Sequence, residues 1–286
     1  MGRHIWATMA DKQHLANLTS RAVIRIGGPD WRDFLQGLLT QDVETLTDGE
    51  ARFAALLTPQ GKLMFDLFVV GQSKGCLIDV AAERRAALIQ RLTIYRLRAK
   101  VEIAADDRPV TALWPARGAL GPGWTIDPRL SALGLRGYGA DAPAGAEPVD
   151  EAAYDAHRLA LGVPDPAADA PSETTYPIEA NFDLLAGIDF KKGCFVGQET
   201  TSRMKRRGQI KTRMLPIVFD GEAPAYGAEV LAGTLRAGEV RTGADGRAMA
   251  LLRLDRIDGE GLTVNGRPVR VERPAFLPAT DENSET

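Results

Sequence analysis

No side of the run from Leu63 to Val70 is polar. Counted by two along an extended chain, Met64, Asp66, Phe68 and Val70 fall on one side and Leu63, Phe65, Leu67 and Val69 on the other. A strand with this pattern has to be covered on both faces. Phe53 to Leu57 is a second such run, and Thr58-Pro59-Gln60-Gly61 between the two is turn chemistry, which predicts a hairpin. Helical spacing supplies the covering elements. Trp31, Phe34, Leu35, Leu38 and Leu39 follow i, i+3, i+4, i+7, i+8 behind Pro29, and Leu88, Leu92 and Tyr95 share one face of a helix from Glu83 to Tyr95. With strands at Ala22 to Ile26, Leu77 to Ala81 and Val101 to Ala104, the class is α+β, built on antiparallel sheets. Asp66 is the odd residue of the hairpin. Burial raises the pKa of a carboxyl, which makes Asp66 a candidate proton acceptor or donor; a structural hydrogen bond is the alternative.

Beyond the hairpin region the texture changes twice. Arg108 to Pro148 is dense in Gly, Pro and Ala, with apolar pieces at Val110 to Trp114 and Trp124 to Ile126, and reads as a loop-rich edge. A helix follows from Asp150 to Leu161, stopped by Gly162 with Pro164 just beyond. His157, isolated on that helix, reads as a packing or surface residue. After Gly208 come short strands separated by Asp220-Gly221, Asp245-Gly246 and Asn265-Gly266, the pattern of a small β-barrel or sandwich, and a polar tail from Pro278 to Thr286 expected to fray.

Composition excludes several classes. A net charge of −3 over 286 residues argues against a general nucleic-acid binder, and RNA is not an expected partner. No apolar run approaches the length of a membrane span, so no membrane partner is expected. The two cysteines, Cys76 and Cys194, are far apart, and no cysteine or histidine cluster has metal-ligand spacing. Unpaired thiols fit a reducing compartment, and without a secretory segment the expected location is cytoplasmic. Cys76, inside Cys76-Leu77-Ile78-Asp79-Val80, reads as core.

The chemistry concentrates in Lys191-Lys192-Gly193-Cys194-Phe195-Val196-Gly197-Gln198-Glu199, which packs two ammonium groups, a thiol, an amide and a carboxylate into nine residues. Gly193 and Gly197 bracket the thiol where backbone turns tightly or approaches a ligand. From Gln198 a breaker-free run with Glu199 and Arg203 at i, i+4 predicts a helix, which places Cys194 just ahead of a helix N-terminus beside two lysines and favours thiolate. The alternative is a small buried hydrophobe. Downstream, Arg203, Lys205, Arg206, Arg207 and Lys211 form a basic run expected to be solvated, with its upper end lining a cavity.

This nonapeptide followed by Arg203 resembles the signature of the YgfZ-type folate-binding proteins, which are similar to the aminomethyltransferases of the glycine cleavage system but serve iron–sulfur cluster assembly. Gly28, Asp30, Phe34, Leu35, Gln36, Gly37, Thr40, Asp42 and Val43 match a second pattern of that family, and Pro177-Ile178-Glu179-Ala180-Asn181 resembles the branch with the mitochondrial iron–sulfur assembly factor. The strand around Asp66 resembles the transferase strand whose carboxylate sits beside folate N5, with Gly61, Asp66, Leu67 and Val69 matching and Lys62 and Phe65 departing. The resemblance implies an aminomethyltransferase-like three-lobed ring around a folate-sized cavity, with antiparallel sheets, helices and a C-terminal barrel. Its lobes would be residues 10–45 with 150–210, 46–149 and 211–277, followed by a tail at 278–286. It implies tetrahydrofolate or a related folate as cofactor, held by Lys192, Gly193, Gly197, Gln198, Glu199, Arg203, Glu179 and Asn181. Glu179 would pair with a pterin edge or bridge to an arginine. A [4Fe–4S] cluster would be transient at most, with Cys194 as the functional thiol. Partners would be assembly proteins and client cluster enzymes. The rivals are a folate-dependent one-carbon transferase using Asp66, a factor supporting tRNA modification, and a purely structural scaffold; catalytic turnover is left open.

Overall fold

The computed structural model describes residues 12–118, 121–207, 210–257 and 261–278. Both ends of the sequence reading, Met1 to Ala10 and the tail beyond Pro278, lie outside them.

The expected hairpin forms, Ala51–Leu57 against Leu63–Gln72, and supplies two strands of a five-stranded antiparallel sheet. Gly75–Ala81, Arg21–Gly27 and Glu102–Asp106 follow in that order across it. One face is covered by helix α1 (Trp31–Gln36) and helix α2 (Arg85–Arg96). Ile24, Ile26, Leu35, Leu39, Leu67, Leu88 and Leu92 fill the space between. The count by two needs one correction. Leu56 pairs with Phe65 but Leu57 pairs with Leu63, so Met64 is an extra residue, a β-bulge. Met64 and Phe65 therefore both face the helices, while Leu63 joins Phe68 on the opposite side.

That opposite side meets a second five-stranded sheet. His14–Asn17 runs parallel to Glu147–Val149 and antiparallel to Val110–Trp114, and Leu135–Tyr138 and Trp124–Ile126 complete the sheet. The region expected as a loop-rich edge thus supplies most of this sheet. Its strands are too short for a period of two to stand out among Gly and Pro, and pairing with residues 14–17 is a long-range event. Helix α3 (Glu151–Ala160), capped by the Asp150 carboxylate on Ala153 N, lies beside it with Tyr154 and Leu159 inward. Helix α4 (Pro166–Asp169) follows.

The C-terminal strands form a seven-stranded antiparallel sheet around Leu215, Ile217, Val230, Val240, Ala250, Leu252 and Val264. Its edge strands, Arg267–Pro268 and Arg270–Val271, are separated in sequence only by Val269. The chain therefore brings the two edges together and the sheet is a nearly closed barrel.

Candidate functional site

The segment from Pro177 to Gly197 leads to helix α5 (Gln198–Arg207), which begins at the residue expected. It is irregular, so its position depends on side chains that tie it down. Glu179 accepts from Tyr176 N at 2.8 Å and from Thr212 Oγ1 at 2.6 Å. Asn181, buried at φ +62°, donates to Met214 O at 2.7 Å and accepts from Arg213 Nη1 at 3.0 Å. Arg213 also forks onto Asp183, with both contacts at 2.9 Å. Glu179 and Asn181 thus fasten the segment to the first barrel strand, Thr212–Val218.

The second set of ties runs to residues 36–41. Thr40 Oγ1 donates to Gly187 O at 2.7 Å, Gln41 Nε2 to Ala186 O at 2.7 Å, and Asp189 N to Thr40 O at 3.0 Å. Asp189 Oδ1 accepts from the backbone of Lys191 and Lys192. The Lys192 ammonium donates to the carbonyls of Gln36, Leu39 and Gln41 at 2.8, 2.7 and 2.9 Å, which uses all three of its hydrogens. Those carbonyls lie at and beyond the end of α1, where a cation is favoured. Burial pulls the Lys192 pKa down to about 8 against the opposing pull of Asp42 and Asp189. The two motifs singled out in the sequence are therefore one bonded unit, with Lys192 as its rivet.

Cys194 sits between two anchors. Lys192 is fixed on one side, and on the other Phe195 is buried with Phe53, Leu57 and Ile188. The thiol is exposed. Gly197, at φ +82°, lies so close to the hairpin turn that an added Cβ would sit 2.7 Å from Thr58 O and 2.9 Å from Gly61 Cα. Gly61, at φ +80°, meets Thr200 in the same way. Both glycines are required by this contact, and it fixes the start of α5. At Gly193 a Cβ would meet nothing within 4 Å, so packing does not explain that glycine. Gln198 is half-buried in the first turn, and Glu199 and Arg203 are exposed, without an ion pair between them among the described residues. Lys205 reaches Asp183 at 3.6 Å. Native chain treated with a thiol-reactive chromophore should therefore titrate one cysteine, Cys194. Cys76 is buried, with its thiol pKa pushed up by desolvation, and should react only on unfolding. Two thiols reacting at equal rates in the folded chain would contradict this geometry.

Asp66 lies elsewhere, at the junction of the two five-stranded sheets and α3. It is 4% exposed and accepts from Arg21 Nη1 at 3.1 Å. Arg21 Nε donates to Asp79 Oδ1 at 2.7 Å, and Arg136 Nη2 and Tyr138 OH donate to Asp79 Oδ2 at 2.6 and 3.0 Å. Arg129 is forked on Asp127 and donates to Tyr154 OH at 2.9 Å. The Phe68 ring has the guanidinium carbons of Arg136, Arg129 and Arg21 at 4.0, 5.0 and 5.6 Å from its centroid. Burial raises the Asp66 pKa, opposed by Arg21. Burial would also raise that of Asp79, but Arg136 and Arg21 overcome it and hold Asp79 below the ordinary carboxylate range.

Two expectations bear on this cluster. The open volume at the junction is about 30 Å³, room for about one water, and no folate-sized cavity is present there. Nor, among the described residues, does the basic run of α5 line it: the lining comes from residues 18–21, 66–68, 129–136 and 151–165. The structure does not bring Asp66 and Cys194 together. Arg21, Asp79, Arg129 and Arg136 escaped the sequence reading, although Asp79 shows the signal that marked Asp66, a carboxylate inside an apolar strand.

Comparison with known proteins agrees with this architecture. Residues 211–279 match the family model of the CAF17 C-terminal β-barrel domain. The iron–sulfur cluster assembly factor IBA57 homolog, mitochondrial, of Neurospora crassa is 32% identical over 247 residues, covering 75% of this chain and 56% of that protein. The homolog of Phaeosphaeria nodorum is 33% identical, covering 89% and 66%. The human mitochondrial IBA57 is 29% identical, covering 85% and 78%. The chain thus spans a little over half to two thirds of the length of these fungal relatives. The glycine cleavage system aminomethyltransferase T of Bartonella henselae superposes with a TM-score of 0.74 at 18% identity, covering 93% of this chain and 86% of that one. The aminomethyltransferase-like α+β fold is thereby established. The cytoplasmic expectation is overturned, since these relatives are named mitochondrial. Addresses of that kind are read by receptors and leave no mark on the composition of a folded domain.

Proposed function

The chain belongs to the YgfZ/IBA57 branch of the aminomethyltransferase-like proteins, and from that we propose that it is an accessory factor for assembling iron–sulfur clusters, acting through Cys194. The observation that carries this reading is the exposed thiol fixed between the Lys192 rivet and the Phe195 anchor. A rigid loop presents a nucleophilic, metal-binding sulfur without spending its orientation on local freedom. An iron–sulfur cluster takes four protein ligands, and Cys194 supplies one, so any cluster it touches is held chiefly by a partner. The cluster is cargo, passed or stabilised while the partner and this chain are in contact. Complementation of cells lacking the related factor, scored on the activity of [4Fe–4S] enzymes, tests the role: restoration supports it, and failure of a well-expressed chain to restore any such enzyme rejects it.

The central junction as it stands leaves little room for a folate. Sites for ligands of that size enclose roughly 300–1,000 Å³, the junction leaves about 30 Å³, and Asp66, Asp79 and Asp127 are already matched with Arg21, Arg136 and Arg129. A larger groove of about 350 Å³ opens beside Arg21, but Glu83 and Asp165 line it, an unfavourable setting for a folate's carboxylate tail. Lys192, Glu179 and Asn181 are engaged with the chain itself. Titration with 5-formyltetrahydrofolate should produce no saturable tryptophan quenching and no rise in the unfolding midpoint. Micromolar binding weakened by Asp66→Asn would restore the folate reading, and the one-carbon transferase with it.

A further inference from the structure

We propose that the end of the molecule carrying the C-terminus of α2 is a contact surface for an anionic lipid bilayer, with Ile94 and Leu97 entering the interface and the surrounding cations meeting lipid phosphates. The inner face of α2 is ordinary, with Leu88 and Leu92 buried in the core. Its outer face is not. Ala86, Ala87, Gln90, Thr93, Ile94 and Leu97 follow one another at helical spacing, all exposed and none charged. Ile94 is 58% and Leu97 88% exposed, among the most exposed large apolar side chains of the described residues. Leu97 also has φ +46°, a conformation that L side chains avoid, and so stands at the turn where the helix ends.

Charge identifies the occupant. Between Glu83 and Lys100 the chain carries Arg84, Arg85, Arg91, Arg96, Arg98 and Lys100 against a single acid, in a protein whose net charge is −3; of these, Arg85 is paired with Asp107 at 3.0 Å and Arg84 donates to Ser172. The 97–101 turn is docked on residues 28–30 through Asp30, which accepts from Lys100 N at 2.7 Å. Next to it a groove of about 520 Å³ is lined by Arg25, Lys74 and Trp31, with Glu102 as its one acid. The side chains of Lys74, Arg98 and Lys100 make no hydrogen bond or ion pair among the described residues, while Arg25 faces the Asp106 carboxylate. Cations around a protruding apolar pair fit a bilayer surface, where side chains of both kinds find their own depth. An acidic protein would need a pocket shaped to this knob, and RNA offers Ile94 and Leu97 no apolar environment. Among the described residues no helix is long and apolar enough to cross a membrane, but a surface contact requires none.

The test is co-sedimentation of the full chain with phosphatidylcholine vesicles, with and without about 30 mol% phosphatidylglycerol. Binding to the anionic vesicles should be at least about tenfold stronger, should fall steeply with salt, and should drop about tenfold in Leu97→Asp, as expected for one apolar side chain removed from the interface. Asp tolerates a positive φ, so the variant should fold, which its unfolding midpoint will verify. Arg98→Glu with Lys100→Glu should weaken binding to anionic vesicles only. The proposal is overturned by absence of pelleting on anionic vesicles, by pelleting indifferent to Leu97→Asp, or by displacement with millimolar inorganic phosphate, which would indicate an ion site instead of a bilayer contact. None of these outcomes involves Cys194, so they leave the assembly role to its own test.

Discussion

Asp79→Ala will lower the unfolding midpoint by roughly 10 °C. Asp79 is fully buried and is the shared acceptor of Arg21, Arg136 and Tyr138. Its removal leaves two buried guanidinium groups short of their counter-charge, a change worth about 3–5 kcal/mol. In a chain of this size each kcal/mol moves the midpoint by roughly 2–4 °C. The pH dependence follows from the direction of the pKa. Asp79 is held below the ordinary carboxylate range in the folded chain, so its stabilisation is complete above the unfolded pKa near 3.9 and is lost as pH falls through the lower folded value. The stability gap between wild type and Asp79→Asn should therefore be constant near neutrality and shrink in acid. Asp66 behaves oppositely. Its pKa is raised, chiefly by burial, so its contribution falls as pH climbs from the unfolded value through the folded one. Asp66→Asn should accordingly cost less than Asp79→Asn at pH 7. Equal losses for the two would show that the charges are not partitioned as described.

Cys194→Ala will abolish restoration of [4Fe–4S] enzymes in complemented cells while leaving the unfolding midpoint unchanged. The side chain is exposed and its neighbours are fixed without it, so the substitution removes sulfur chemistry and little else. Asp66→Asn should retain most of the restoring activity, because Asp66 belongs to the junction and not to the thiol loop. A transferase using Asp66 as its proton-handling group would lose about 10²–10⁴-fold in turnover from the same change. A silent Cys194→Ala together with an inactive Asp66→Asn would reverse the assignment.

Local pattern determined a good deal. The hairpin around Thr58–Gly61, the start of α5 at Gln198, the end of α3 before Gly162 and the strand texture after Gly208 are all consequences of side-chain period and of turn residues acting on their immediate neighbours. The thiol loop stood out for the same reason, as did Asp66 in its apolar strand. The nonapeptide also marked the family, because its residue types and spacing recur together.

Tertiary structure alone decided what those residues are bonded to. Lys192 reads as a free cation beside a thiol until its ammonium is found on Gln36 O, 156 positions away. Glu179 and Asn181 read as ligands until the first barrel strand closes on them. Asp66 reads as an unpaired acid until Arg21, two strands across the sheet, reaches it over Ala81. A bulge at Met64 changes which face its neighbours occupy, and no count along the strand reveals it. The physical reason is common to all four. Period and turn propensity act over a few residues, whereas the partner that satisfies a buried charge, and the space left for a ligand, are set by segments that meet only when the sheets pack.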